Sequence, residues 1–170
     1  MKEQLQLDLV PVVRIRSLAV PPTATAQQKG AFVVGGRVRF YTKKEVREAE
    51  SDWWHIVAPS RPASPLDGPL WLRACLAWDY TASTPKRVRD RKAVVPNDRR
   101  PDLDNLIKSM LDVLTKTSVI AEDARIALLV VSKVRAPHAG VSIDIGPLPR
   151  VLSSWTVEEQ MQLDLFPLET

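Results

Sequence analysis

What this chain has little of narrows its chemistry first. Cys75 is the only cysteine, so no disulfide can form within one chain. Its apolar neighbourhood, Leu70-Trp71-Leu72-Arg73-Ala74-Cys75-Leu76, predicts a buried strand residue, and the thiol suits a reducing, cytoplasmic compartment. The only histidines, His55 and His138, lie far apart without cysteine partners, which argues against a zinc site. No apolar run approaches the ~18 residues of a bilayer span. Met1-Lys2-Glu3-Gln4 opens onto alternating polar and apolar residues, not the apolar core of a signal peptide. No membrane partner is expected, and no repeat of architectural period is visible, which argues against repeat architectures.

What remains is a globular composition. With 170 residues, 45% of them hydrophobic and 26% charged, the chain suits one domain with appendages. The net charge is only +4, but it is unevenly placed. Residues 85–100 hold seven basic side chains (Lys86, Arg87, Arg89, Arg91, Lys92, Arg99, Arg100) and two acidic ones, Asp90 and Asp98. That segment is therefore +5, which leaves −1 for the rest. A concentrated basic loop on a nearly neutral protein suggests a polyanion partner, although a solvated charge run is the alternative.

The periodicities predict an α/β or α+β domain in which helices pack on a mixed sheet. Leu9 to Val20 reads as a strand. Ala31–Val34 and Arg37–Tyr41 flank Gly35-Gly36, a hairpin signal. Thr42 with Glu45 has the form of a capping box, and the helix after it runs to about Val57 with Val46, Ala49, Trp53, Ile56 and Val57 on one face. Four prolines between Pro59 and Pro69 give a linker-like loop. Strands are expected over Leu70–Tyr80, Ile126–Val134 and Val141–Ile145. The clearest helix is Asp102 to about Lys116, where Leu103, Leu106, Ile107, Met110, Leu111 and Leu114 recur at helical spacing. Trp53, Trp54, Trp71 and Trp78 are expected in the core.

The most informative stretch is Arg99-Arg100-Pro101-Asp102-Leu103-Asp104-Asn105-Leu106-Ile107-Lys108, with Glu122-Asp123 following the helix. Carboxylates gathered beside a basic loop suggest a hard divalent ion held close to a phosphate. Such an ion polarises a phosphodiester and makes water a better nucleophile. The competing explanation is local. Acidic residues at a helix N-terminus stabilise its dipole, and Asp104 with Lys108 has the spacing of an ordinary surface ion pair.

This block, together with Leu111-Asp112-Val113-Leu114-Thr115 and Ala121-Glu122-Asp123, resembles the RusA family of Holliday junction resolvases. The likeness is strongest from about Arg99 to Lys133. It implies a cytoplasmic, bacterial or phage-encoded homodimer that binds branched DNA and cuts opposing strands of a four-way junction. By position it implies Asp102, Asp104 and Asp123 as ligands of Mg²⁺, with Mn²⁺ as a substitute, and Lys108 as a catalytic lysine. Asn105 and Asp112 match the pattern with orienting and structural roles. The basic loop would bind junction arms through Lys86, Arg87, Arg89, Arg91, Lys92, Arg99 and Arg100. Residues 1–146 would form the nuclease domain and 147–170 a tail. The proline-rich loop and the tail depart from compact family members.

In that tail, Gln162-Leu163-Asp164-Leu165-Phe166 resembles the pentapeptide with which bacterial replication and repair proteins dock on the sliding clamp. Glutamine would make polar contacts while Leu165 and Phe166 fill an apolar cleft. Packing on the protein's own core is the alternative, with Trp155 as a further anchor. Two functional classes follow. One is a Mg²⁺-dependent junction-resolving endonuclease, with a flap or fork nuclease as its variant. The other is a non-catalytic branched-DNA adaptor recruited to the clamp.

Overall fold

The computed structural model describes residues 9–24 and 29–148. The strands are β1 (Val13–Ser17), β2 (Lys29–Val34), β3 (Arg37–Thr42), β4 (Leu70–Asp79), β5 (Val95–Pro96), β6 (Ile126–Ala136) and β7 (Gly140–Pro147). The helices are α1 (Lys44–Val57), α2 (Lys86–Asp90) and α3 (Leu103–Lys116). Five strands form one mixed sheet in the order β1-β7-β4-β6-β5, and β2 and β3 form a separate hairpin. Only β4 and β6 run parallel, so a crossover must join them, and α3 lies within it. Among the described residues no helix is long and apolar enough to cross a membrane.

Alternation along β4 explains which face is covered. Leu70, Leu72, Ala74, Leu76 and Trp78 are buried, while Arg73 is exposed and Cys75 and Ala77 are half-buried. The buried set meets Val13 and Ile15 of β1, Ile143 and Ile145 of β7, Trp53, Ile56 and Val57 of α1, and Leu106, Met110, Val113 and Leu114 of α3.

The expected strands and helices are present, with local corrections. β1 is shorter than Leu9–Val20, and Val10, Val12, Leu18 and Val20 are exposed. Thr42 pairs with Lys29 in the hairpin ladder, so Lys43 takes the N-cap position of α1 and no side-chain cap forms. Cys75 is half-buried because its face of the sheet carries no helix. Trp54 points away from the α1 core face and is exposed, unlike Trp53, Trp71 and Trp78. The proline-rich loop is not a linker: Leu66 packs against the core and is pinned by Leu66 N–H to Val119 O and Ala121 N–H to Leu66 O, both 2.9 Å.

On the face without helices, Asp144 of β7 is almost fully buried between two arginines. Arg16 donates to Oδ1 at 2.6 Å and Arg73 to Oδ2 at 2.9 Å. Burial pushes the Asp144 carboxyl up, but the Arg73 and Arg16 hydrogen bonds and charges outweigh it and hold the carboxyl below its ordinary value. A lowered folded-state pKa contributes stability above the unfolded value of about 4, and that contribution fades as pH falls through the folded value. Asp144→Asn is therefore expected to cost about 2 kcal/mol near neutral pH. Urea unfolding of both proteins across pH should show the gap narrowing below about pH 4; a gap that widened on acidification would contradict the assignment.

Candidate active site

Both halves of the acidic motif stand on α3 or beside it, at opposite ends. Asp102 is the N-cap residue of α3 and Asp104 lies in its first turn. An aspartate at an N-cap ordinarily accepts a hydrogen bond from the helix, yet the Asp102 side chain makes none. Asp104 and Lys108 are exposed, and no ion pair joins them or involves any other described residue. Of the two local explanations, the surface ion pair is absent, while the helix dipole asks for no hydrogen bond or ion pair and leaves both carboxylates free to act on a ligand. Beside them, Asn105 Oδ1 is enclosed without a hydrogen-bond partner. The site thus presents two unengaged carboxylates, an unengaged ammonium and an orphaned carbonyl oxygen.

Asp123 opens a 3₁₀ turn, Asp123–Arg125, that leads into β6. Its neighbour Glu122 pairs with Arg125 at 3.0 Å, and Arg125 also reaches Asp67 at 2.8 Å. This brace engages Glu122 and leaves the exposed Asp123 carboxylate without a partner among the described residues. However, Asp123 does not join Asp102 and Asp104. The α3 helix has 14 residues, about 21 Å at 1.5 Å each, and the chain turns back only after its C-terminal end. β6 then starts beside Leu70, and only seven residues along it does Lys133 come level with Arg99 and Pro101. Among the described residues no three His, Cys, Asp or Glu side chains stand close enough to hold a metal ion. The three aspartates expected as one ligand set do not converge within a single chain, because a full helix lies between them.

The donor chemistry at the α3 N-terminus nevertheless fits Mg²⁺. That ion takes oxygen ligands, keeps several waters, and commonly uses one or two protein carboxylates with substrate phosphate supplying the rest. Asp102 and Asp104 are such a pair, and the orphaned Asn105 oxygen is a further hard acceptor.

A residue not singled out from sequence holds this end in place. Lys133 of β6 donates from Nζ to Arg99 O at 2.6 Å and to Pro101 O at 2.7 Å. Buried Asn97 adds to the clamp: its N–H reaches Lys133 O at 2.9 Å, and its Oδ1 accepts from Arg99 N–H at 3.3 Å. The segment entering Asp102 is thus fixed to the sheet edge at three points and braced internally by a fourth hydrogen bond. The apolar run Ile126–Val134 masks this lysine in sequence; the only signal was its interruption of the run. Lys133→Met is expected to lower kcat by about 10²-fold, through misplacement of the carboxylates, with junction affinity almost unchanged and partial rescue by Lys133→Arg. Equal losses in kcat and affinity, or no rescue, would make Lys133 merely structural.

The basic segment is not a plain loop. A turn closed by Thr84 N–H to Thr81 O at 2.9 Å leads into the short helix α2, and β5 then joins the sheet edge beside β6. Lys86, Arg87, Arg89, Arg91, Lys92, Arg99 and Arg100 are all exposed, and none forms an ion pair among the described residues. The segment runs directly into Asp102, so unneutralised cations and carboxylates share one end of the domain. The pentapeptide Gln162–Phe166, and Trp155 with it, lie outside the described residues.

Comparison with known proteins bears on this arrangement. The family model described as "Endodeoxyribonuclease RusA" matches residues 19–146. The chain is 27% identical over 121 residues to "Crossover junction endodeoxyribonuclease rusA" of Lactococcus phage r1t, an overlap of 71% of this chain and 87% of that protein. It is 39% identical over 72 residues to "Crossover junction endodeoxyribonuclease RusA" of Aquifex aeolicus (strain VF5), an overlap of 42% of this chain and 53% of that protein.

Proposed function

The chain belongs to the RusA family of endodeoxyribonucleases, and from that premise we propose that it resolves four-way DNA junctions by Mg²⁺-dependent hydrolysis of two opposing phosphodiesters, in recombination and repair. The observation that carries this reading is the state of the α3 N-terminus, where neither Asp102, Asp104 nor Lys108 is consumed by a cap or an ion pair. The names of both relatives support a crossover junction as the substrate.

Asp102 and Asp104 would hold Mg²⁺. Bound there, the ion would supply the positive charge that polarises the scissile phosphodiester and acidifies the attacking water. Lys108, one turn along α3 from Asp104, would supply an ammonium that offsets charge building up on the phosphate as the bond breaks. The seven cations before α3 would grip the backbone of the arms, which positions the substrate without reading its bases.

The separation of Asp123 from Asp102 and Asp104 favours a homodimer in which the partner subunit's Asp123 completes each site. Two shared sites would cut opposing strands in one encounter, and a monomer would be inactive. The Gln162–Phe166 peptide supports recruitment to the sliding clamp through the tail.

The test is a panel of labelled substrates under one set of conditions: a four-way junction, a fork, a flap and a linear duplex. Cutting confined to the junction is expected. Preference for forks or flaps would replace the substrate, and binding without cutting would make the protein an adaptor.

A further inference from the structure

A second basic element lies outside the site. From Leu9 to Lys44 the chain carries Arg14, Arg16, Lys29, Arg37, Arg39, Lys43 and Lys44 and no acidic residue; Arg16 is paired with Asp144 and Lys44 with Glu48, and the other five form no ion pair among the described residues. The second half of this segment forms the β2–β3 hairpin, which pairs with no strand of the main sheet. Gly35 and Gly36 close it with φ of +56° and +72°, the left-handed pair that a tight two-residue turn requires.

The hairpin carries apolar side chains on both faces, one of them shared with two arginines, and no other described element pairs with it. Opposed residues of an antiparallel pair share a face. The register therefore puts Gly30, Phe32 and Val34 with Tyr41, Arg39 and Arg37 on one side, and Ala31 and Val33 with Phe40 and Val38 on the other. Of these, only Gly30 is buried, and the Tyr41 ring lies across it. Phe32 and Tyr41 pack on each other with centroids 5.9 Å apart, beside the two arginines. On the opposite side Phe40 is 72% exposed, Val33 67% and Val38 60%. A two-stranded hairpin has little independent stability in water, so this much uncovered apolar surface points to a partner.

We infer that the β2–β3 hairpin is a DNA-binding wedge, inserted where base pairs are unstacked at a branch point; this rests on the reading of the chain as a junction nuclease. The charge selects the occupant, since an acid-free cationic ribbon is complementary to phosphate. Arg37 and Arg39 contact the backbone. Phe40 and the valines on its face pack against exposed base faces, as apolar side chains do between opened base steps. Such a surface ranks DNA by branching and leaves sequence unread.

The test is junction and linear-duplex affinity in EDTA across a salt series, for wild type, Arg37→Ala/Arg39→Ala and Phe40→Ser, with the mass of each protein from light scattering. Loss of two phosphate contacts should weaken junction binding about tenfold and reduce the slope of log affinity against log salt by about two. Phe40→Ser should weaken junction binding about tenfold, with duplex affinity and the salt slope unchanged. Hairpin variants that keep wild-type affinities and slope overturn the inference alone. Variants that weaken binding because they lower the mass of a dimeric wild type also overturn it, and assign the hairpin to a second copy of the chain. A wild type with no preference for the junction removes the proposed function, and this inference with it.

Discussion

Asp104→Asn is expected to lower junction cleavage by about 10³-fold, some 4 kcal/mol of transition-state stabilisation, while junction affinity stays close to that of the wild type. The substitution is nearly isosteric, and the wild-type side chain is exposed and makes no cap, ion pair or core contact. Folding therefore has little to lose. What is lost is a formal charge next to Asp102, and with it the affinity for a hard divalent ion. The cations proposed to hold phosphate lie elsewhere, on residues 86–100, so binding and cutting should separate. Cleavage rates with gel-shift affinities on one junction measure both quantities. Unchanged cutting would remove Asp104 from the site, and parallel loss of binding would make it a DNA contact.

Asp104→Asn and Asp123→Asn are each expected to lower cutting by about 10³-fold as pure proteins, yet a mixed dimer with one subunit of each kind should nick one strand of the junction at close to the wild-type rate. Because α3 separates Asp123 from Asp102 and Asp104, the proposed site takes its third carboxylate from a second chain. In the mixed dimer one shared site carries both substitutions and the other carries neither. Co-expression with two affinity tags isolates this species. An inactive mixed dimer would mean that each site is built within a single chain and that the α3 separation closes on binding.

The same topology explains how far the sequence could be read. The α3 helix was visible because its apolar spacing is regular and Leu106, Met110 and Leu114 fill the core. The central strand β4 was visible for the same reason. Local pattern misplaced the cap of α1, because pairing between Thr42 and Lys29 depends on residues thirteen apart in the chain. The acidic residues were recognised as a set, but their separation was not, since spacing along a chain does not state on which end of a helix a later turn falls. Lys133 and Asn97 act through backbone carbonyls and amides of a distant segment, which leaves almost no trace in composition. Asp144 was missed for a related reason: its partners Arg16 and Arg73 come from strands far apart in sequence and meet it only across the sheet.

The most direct measurement is strand-by-strand cleavage of an immobile four-way junction, labelled in turn on each of its four strands, with Mg²⁺ and with EDTA. Paired nicks at symmetric positions in two opposing strands are expected with Mg²⁺, and none in EDTA. Cutting that survives EDTA, or isolated nicks scattered along the arms, would contradict the proposed function.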